Sequence, residues 1–146
     1  MTNYIVDASV AAKWLLPEAN SDRARALIDS RHRLRAPDLL MSECANVLWK
    51  RMVRGELSVD EAREILKKFL NHYIDVSVHL LPSRLVAEQA LHIAAIEDRS
   101  VYDSLYLALA VQARCQLITA DDRFACAIKN AHLKRHIASL SDLDFA

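Results

Sequence analysis

The chain has 146 residues, 53% hydrophobic and 26% charged, with no Pro-, Ser- or Gly-rich stretch, which excludes a disordered tail or linker and gives one folded domain over residues 1–146. A chain of this length buries about 68–70% of its unfolded surface and needs no disulfide staples. Nineteen Lys and Arg balance nineteen Asp and Glu, which excludes a protein that coats nucleic acid by bulk charge but not a nuclease.

In chain order, the opening Met1-Thr2-Asn3 lacks a basic leader, and the first apolar run is broken at Asp7. No apolar stretch approaches the roughly 18 residues of a membrane span, so the chain is expected to be cytoplasmic, with no membrane contact. Asn3 to Val6 reads as a strand, followed by a helix from Ala8 to about Leu16 that Pro17 ends. Asn20 or Ser21 is expected to cap a helix to about Arg31, and Leu34 to Ala36 forms a short strand before Pro37. A long helix runs from Leu39 to about Arg54.

Gly55, the only glycine, falls where a helix needs a left-handed terminating residue and marks a helical hairpin. Ser58 and Glu61 have capping-box spacing for its second arm, which continues through Ile65, Leu66, Phe69 and Leu70. Val76 to Leu81 reads as the third strand, and Pro82-Ser83 opens a helix through Ile96. A buried helix begins at Asp103, since Ser104 to Val111 is apolar nearly all round. Gln116 to Thr119 is the fourth strand, about Arg123 to Ala131 a short helix, and Ile137 to Leu140 a last edge strand. The alternation defines an α/β domain with a mainly parallel sheet.

Four acids stand out against this pattern. Asp7 closes the first strand and Asp121 follows the fourth, while Glu43 and Asp103 lie on helix sectors that are otherwise apolar. Carboxylates in such settings are unfavourable singly, and gathering them adds like-charge repulsion. Asp7 and Asp121 both fall at the carboxyl edge of the sheet, where open α/β folds bind ligands and helix dipoles point positive ends. As a cap, a first-turn dipole partner or an ion-pair partner, each acid has an ordinary use. Those uses leave the apolar surroundings of Glu43 and Asp103 unexplained.

A divalent cation answers both the burial and the repulsion. Cys44, Cys115 and Cys126 fit no zinc spacing and read as reduced core residues, and the six histidines form no ligand pair on a helix. An all-oxygen site suits Mg²⁺ or Mn²⁺, which share coordination with phosphates and point to phosphodiester chemistry through activated water. With the four acids neutralised, nineteen bases face fifteen acids. Lys13, Lys50, Arg51, Arg54, Arg99 and Arg123 are the bases available to guide a phosphodiester substrate, and Lys13 and Arg123 are preferred because each follows a site acid by a few residues.

From about Asn3 to Asn130 the chain resembles the PIN-domain ribonucleases, most closely the VapC-like toxins of toxin–antitoxin pairs. The resemblance rests on Asp7-Ala8-Ser9, on Glu43 with Asn46 one turn later, on Tyr102-Asp103 leading into Leu105-Tyr106-Leu107-Ala108-Leu109-Ala110, and on Thr119-Ala120-Asp121. Their order and their separations of 36, 60 and 18 residues are similar to the family's. It implies a three-layer α/β/α fold and a Mg²⁺- or Mn²⁺-dependent endoribonuclease. Asp7, Glu43, Asp103 and Asp121 then match the metal-binding acids, and Ser9, Asn46 and Thr119 the polar residues that orient them. Asp121 is preferred to Asp122 by the Thr-x-Asp spacing, leaving Asp122 as a helix cap or an auxiliary ligand.

The same resemblance implies an RNA substrate, a homodimer and a small antitoxin seated in a groove, for which Trp14, Leu15, Leu16, Trp49 and Met52 are candidates. As ordinary core residues, the same side chains would face inward. A phosphoacceptor receiver domain would carry an adjacent acidic pair near Asp7, and a haloacid-dehalogenase-like phosphatase a second Asp where Ser9 stands. A silent scaffold with this fold, or a housekeeping nuclease without an antitoxin, remain the alternatives.

Overall fold

The computed structural model describes residues 2–144. Five short segments form parallel strands: β1 (Asn3–Val6), β2 (Arg33–Pro37), β3 (Val78–Leu81), β4 (Gln116–Thr119) and β5 (Ile137–Ser139). Their order in the sheet is β3-β2-β1-β4-β5. Every pair is parallel, with Ile5 opposite Arg35 on one side and Leu117 on the other. Ile5, Val6, Leu117 and Ile118 are wholly buried, as expected of central strands covered on both faces.

Helices flank the sheet in three α/β/α layers. α1 (Ala8–Leu15), α2 (Ser21–Asp29), α3 (Leu39–Val53) and α4 (Val59–Phe69) pack together, with α1 in contact with the other three. A π-helical turn (Leu70–Ile74) and the one-turn α5 (Asp75–Ser77) lead into β3. α6 (Ala87–Glu97) pairs with α7 (Val101–Gln112), which lies against β1, β2 and β4. α8 (Asp122–Ala127) and α9 (Ala131–Lys134) precede β5. Ser104 through Ala110 are all buried, in agreement with the all-round apolar sequence of α7.

Most terminations follow the sequence signals. Leu16 is extended ahead of Pro17, so α1 stops there. Gly55 takes φ +76, and Ser58 and Glu61 form the reciprocal capping box. Four expectations change. Neither Asn20 nor Ser21 caps α2 with its side chain: Asn20 is left-handed at φ 62, and the Ser21 hydroxyl accepts from Glu18 N and donates to the Lys13 carbonyl. β3 starts at Val78 rather than Val76, because Val76 lies in α5 and is exposed. A 3₁₀ turn, Ser83–Val86, precedes α6. The helix expected from Arg123 to Ala131 is interrupted after Ala127, and Asn130 caps α9 with its side chain on His132 N and Leu133 N.

Packing separates the two tryptophans. Trp14 is buried, donates Nε1 to the Ala24 carbonyl at 2.8 Å, and stacks parallel to Tyr73 at 6.2 Å. Trp49 is 56% exposed. The cysteines also differ: Cys44 is buried, its thiol pushed up to about 12 by burial, whereas Cys126 is exposed rather than in the core. Cys126 lies on the short α8, where it lines a cavity with Lys134 and Ile137.

Candidate functional site

The sheet order reverses between β1 and β4, and the carboxyl ends of these two neighbours form the floor of the site. Asp7 leaves β1 in extended conformation and caps α1, its Oδ1 accepting from Ser9 N at 3.1 Å, Val10 N at 3.2 Å and Ser9 Oγ at 2.5 Å. Ser9 Oγ also accepts from Ala120 N at 2.8 Å and lies 3.2 Å from Thr119 Oγ1. Thr119 Oγ1 in turn accepts from Asp121 N at 3.1 Å. Ser9 and Thr119 therefore stitch the end of β1 to the end of β4 and fix Asp7 relative to Asp121. Asp121 caps α8 through Oδ1, which accepts from Arg123 N and Phe124 N.

Two helices bring the other acids. α3 carries Glu43, whose Oε1 accepts from Tyr106 Oη at 2.6 Å. α7 carries Asp103 in its first turn, where Ser100 Oγ caps Asp103 N and Arg99 Nη2 lies 2.9 Å from Asp103 Oδ2. Tyr106 is a site residue to which the sequence alone assigns no role. Its signal was a hydroxyl placed three residues after Asp103 on a buried helix, where a Tyr Oη needs a partner.

Electrostatics tie three of the acids together. Asp7 is 6% exposed, and its carboxyl is pushed up to about 6, chiefly by burial, against the hydrogen bonds from Ser9, Thr119 and Val10, with Asp103's charge adding to the rise. Glu43 is also raised, first by burial and in part by Asp103, while the Tyr106 hydrogen bond opposes. These carboxyls are thus near enough to repel. Among the described residues no three Asp, Glu, His or Cys side chains stand close enough to cradle a metal ion. Asp103 and Glu43 are instead drawn to Arg99 and Tyr106.

A cleft of about 490 Å³ opens beside Glu43, the one of the four acids in its lining, with Ser9 and Ala12 of α1, Asn46, Val47 and Lys50 of α3, and Tyr102. Asn46 thus faces the same cleft as Glu43. Trp14 is not at the cleft, since it belongs to the core. The remaining residues expected at the site have other partners. Asp122 accepts a hydrogen bond from Ser139 Oγ, which turns it to β5 and a separate cavity with Cys126 and Lys134. Lys13 donates to the Ala19 carbonyl at 2.6 Å and pairs with Glu18, so its charge is engaged locally. Arg123 is exposed, its backbone N–H on Asp121.

The fold is a parallel α/β/α sandwich in which Asp7 and Asp121 follow β1 and β4, the two strands at the switch point of the sheet. Residues 4–129 match the PIN domain, and the chain belongs to that family. It is 34% identical over 121 residues to Ribonuclease VapC3 of Pyrobaculum aerophilum, covering 83% of this chain and 91% of that one. It is 35% identical over 121 residues to Ribonuclease VapC9 of Mycobacterium tuberculosis, covering 83% and 87%. Two solved structures share the fold. PAE2754 from Pyrobaculum aerophilum superposes with a TM-score of 0.67 at 22% identity, over 97% of this chain and 91% of that one. FitAcB from Neisseria gonorrhoeae gives 0.58 at 17%, over 96% and 99%.

Proposed function

We propose that this protein is a Mg²⁺- or Mn²⁺-dependent endoribonuclease, the toxin of a toxin–antitoxin pair. The observation that carries the reading is Asp7, a buried carboxyl at the end of the central strand, raised to about 6 by burial and by a second acid, with Ser9 and Thr119 fixing its orientation. Similarity to relatives named as VapC ribonucleases supports the substrate class.

Asp7, Glu43, Asp103 and Asp121 are the residues that would hold the cation. Their chemistry fits, because all the donors are hard oxygens and a divalent charge offsets the repulsion that Asp103 imposes on Asp7 and Glu43. When bound, the cation lowers the pKa of water and stabilises charge on the phosphate. The chain's own part is orientation and access. Ser9 and Thr119 hold Asp7, Tyr106 holds Glu43, Lys50 places a positive charge at the cleft, and Tyr102, 62% exposed at its rim, offers a ring on which a base can stack.

In this reading the antitoxin covers the cleft and the exposed Trp49 of α3, the helix that supplies Glu43, Asn46, Val47 and Lys50 to the cleft. The chain pairs as a homodimer, a contact that would cover exposed apolar residues such as Leu85, Leu91 and Ile96. Among the described residues no helix is long and apolar enough to cross a membrane.

The test is RNA cleavage by the purified chain with Mg²⁺ or Mn²⁺. Cleavage should stop on chelation and fall at least about a hundredfold in Asp7→Asn and Asp103→Asn. Activity that survives either change refutes the mechanism. Expression should arrest growth, and co-expression of a short reading frame adjacent to the gene should relieve it; growth without arrest points to a housekeeping nuclease.

A further inference from the structure

Arg99 occupies a constrained place. It lies in the turn between α6 and α7, with Asp98 left-handed at φ 52 on one side and the capping residue Ser100 on the other. Its N–H donates to the Ala94 carbonyl at 3.3 Å. From this fixed backbone the side chain reaches Asp103 Oδ2 at 2.9 Å, and its guanidinium carbon lies 4.6 Å from the centroid of the Phe124 ring. Phe124 belongs to the first turn of α8, whose cap is Asp121. The guanidinium therefore bridges the helix that carries Asp103 and the helix that Asp121 opens.

Local helix electrostatics do not favour a cation there. A positive charge beside the amino end of α7 opposes the helix dipole, and a base four residues ahead of an acid is the weaker order of an i,i+4 pair. Arg99 Nε is buried without a hydrogen-bond partner among the described residues, so part of the guanidinium fork goes unused. What the position does supply is a positive charge against Asp103, the acid whose charge bears on both Asp7 and Glu43. Stacking on Phe124 keeps that charge in place.

We infer that Arg99 is the protein's own counter-cation at the acidic edge, a positioning residue that holds Asp103 until a divalent ion takes it and thereby sets how tightly that ion binds. The inference rests on the metal-dependent reading above. It makes Arg99 a competitor of the metal: the ion must displace or share the Asp103 carboxylate, and removal of the guanidinium strengthens metal binding.

The experiment is Mn²⁺ titration of the full chain, followed by calorimetry and by the resonance signal of free Mn²⁺, for wild type, Arg99→Met and Arg99→Lys. Methionine keeps an unbranched stem against Phe124 and deletes the charge. Arg99→Met should bind Mn²⁺ about three- to tenfold more tightly, and Arg99→Lys should stay near wild type. The Mn²⁺ concentration that half-activates RNA cleavage should fall in step. A purely structural role for Arg99 would not raise affinity. Unchanged or weaker binding by folded Arg99→Met overturns the inference; should that variant not fold, Arg99→Gln is held to the same outcome. If wild type binds Mn²⁺ and Asp7→Asn does not, while Arg99→Met matches wild type, only the role of Arg99 falls. If wild type binds no Mn²⁺, the metal-dependent reading falls with it.

Discussion

At the scale of single residues, Asp7 concentrates the conflict between folding and function. Its ordinary pKa of 3.8 rises to about 6 in the folded chain, mainly through burial. The native state therefore holds a proton more tightly than the unfolded state, and stability falls as pH rises from about 4 to about 6. A shift of this size amounts to about 3 kcal/mol that is present below pH 4 and lost above pH 6. Asp7→Asn keeps an acceptor for Ser9 N and Val10 N but carries no charge. Without metal at pH 7.5 it should be more stable than wild type by about 1–2 kcal/mol, roughly 3–6 °C in thermal unfolding, and should lose the fall between pH 4 and 6. Saturating Mg²⁺ should stabilise wild type above pH 6 and leave the variant unmoved. A variant that melts below wild type at pH 7.5 would show that the carboxylate is not a liability.

At the scale of elements, the caps and connections decide how well the site edge is held. Glu97, 8% exposed at the end of α6, accepts from Lys129 N at 2.9 Å and Asn130 N at 2.8 Å, one with each oxygen. It anchors the loop that follows α8. Glu97→Gln replaces one acceptor with an NH₂ group facing an N–H, and should destabilise by about 2 kcal/mol, roughly 4–8 °C. Hydrogen exchange should accelerate first at residues 128–130, and uniform acceleration across the sheet would contradict a local anchor.

Elements were legible in the sequence where the cause is local. β1 and β4 fall on the apolar runs that announce them, and Gly55 with the Ser58 and Glu61 pair marks the α3–α4 turn. The start of β3 was not legible, since Val76-Ser77-Val78 alternates like a strand while Tyr73 is drawn against Trp14 and Phe69 from distant or helical positions. The same distinction holds at the site. Acids at strand ends and helix starts can be read from the chain, but their companions cannot. Tyr106 finds Glu43 across 63 residues, and Asp122 is taken by Ser139 rather than by the acids beside it.

At the scale of the whole molecule, charge is balanced, and this shapes how RNA can be held. The sequence carries a formal net charge of +0, and Lys50 is the one cation among the described residues lining the cleft, which Glu43 also lines. Arg51 and Lys13 nearby are paired with Glu56 and Glu18. Counterion release should therefore contribute little to binding, leaving stacking, hydrogen bonds and the site cation to supply the affinity. Single-stranded RNA binding by Asp7→Asn, followed by fluorescence anisotropy across about 50–300 mM salt, should give a slope of log affinity against log salt of about −1 to −2, the value for one to three phosphates neutralised. Lys50→Ala should flatten that slope by about 0.7, the share of a single phosphate contact. A slope steeper than about −3 would move the RNA path away from the cleft and onto exposed bases such as Arg54 and Arg123, because the cleft's single lysine cannot release that many counterions.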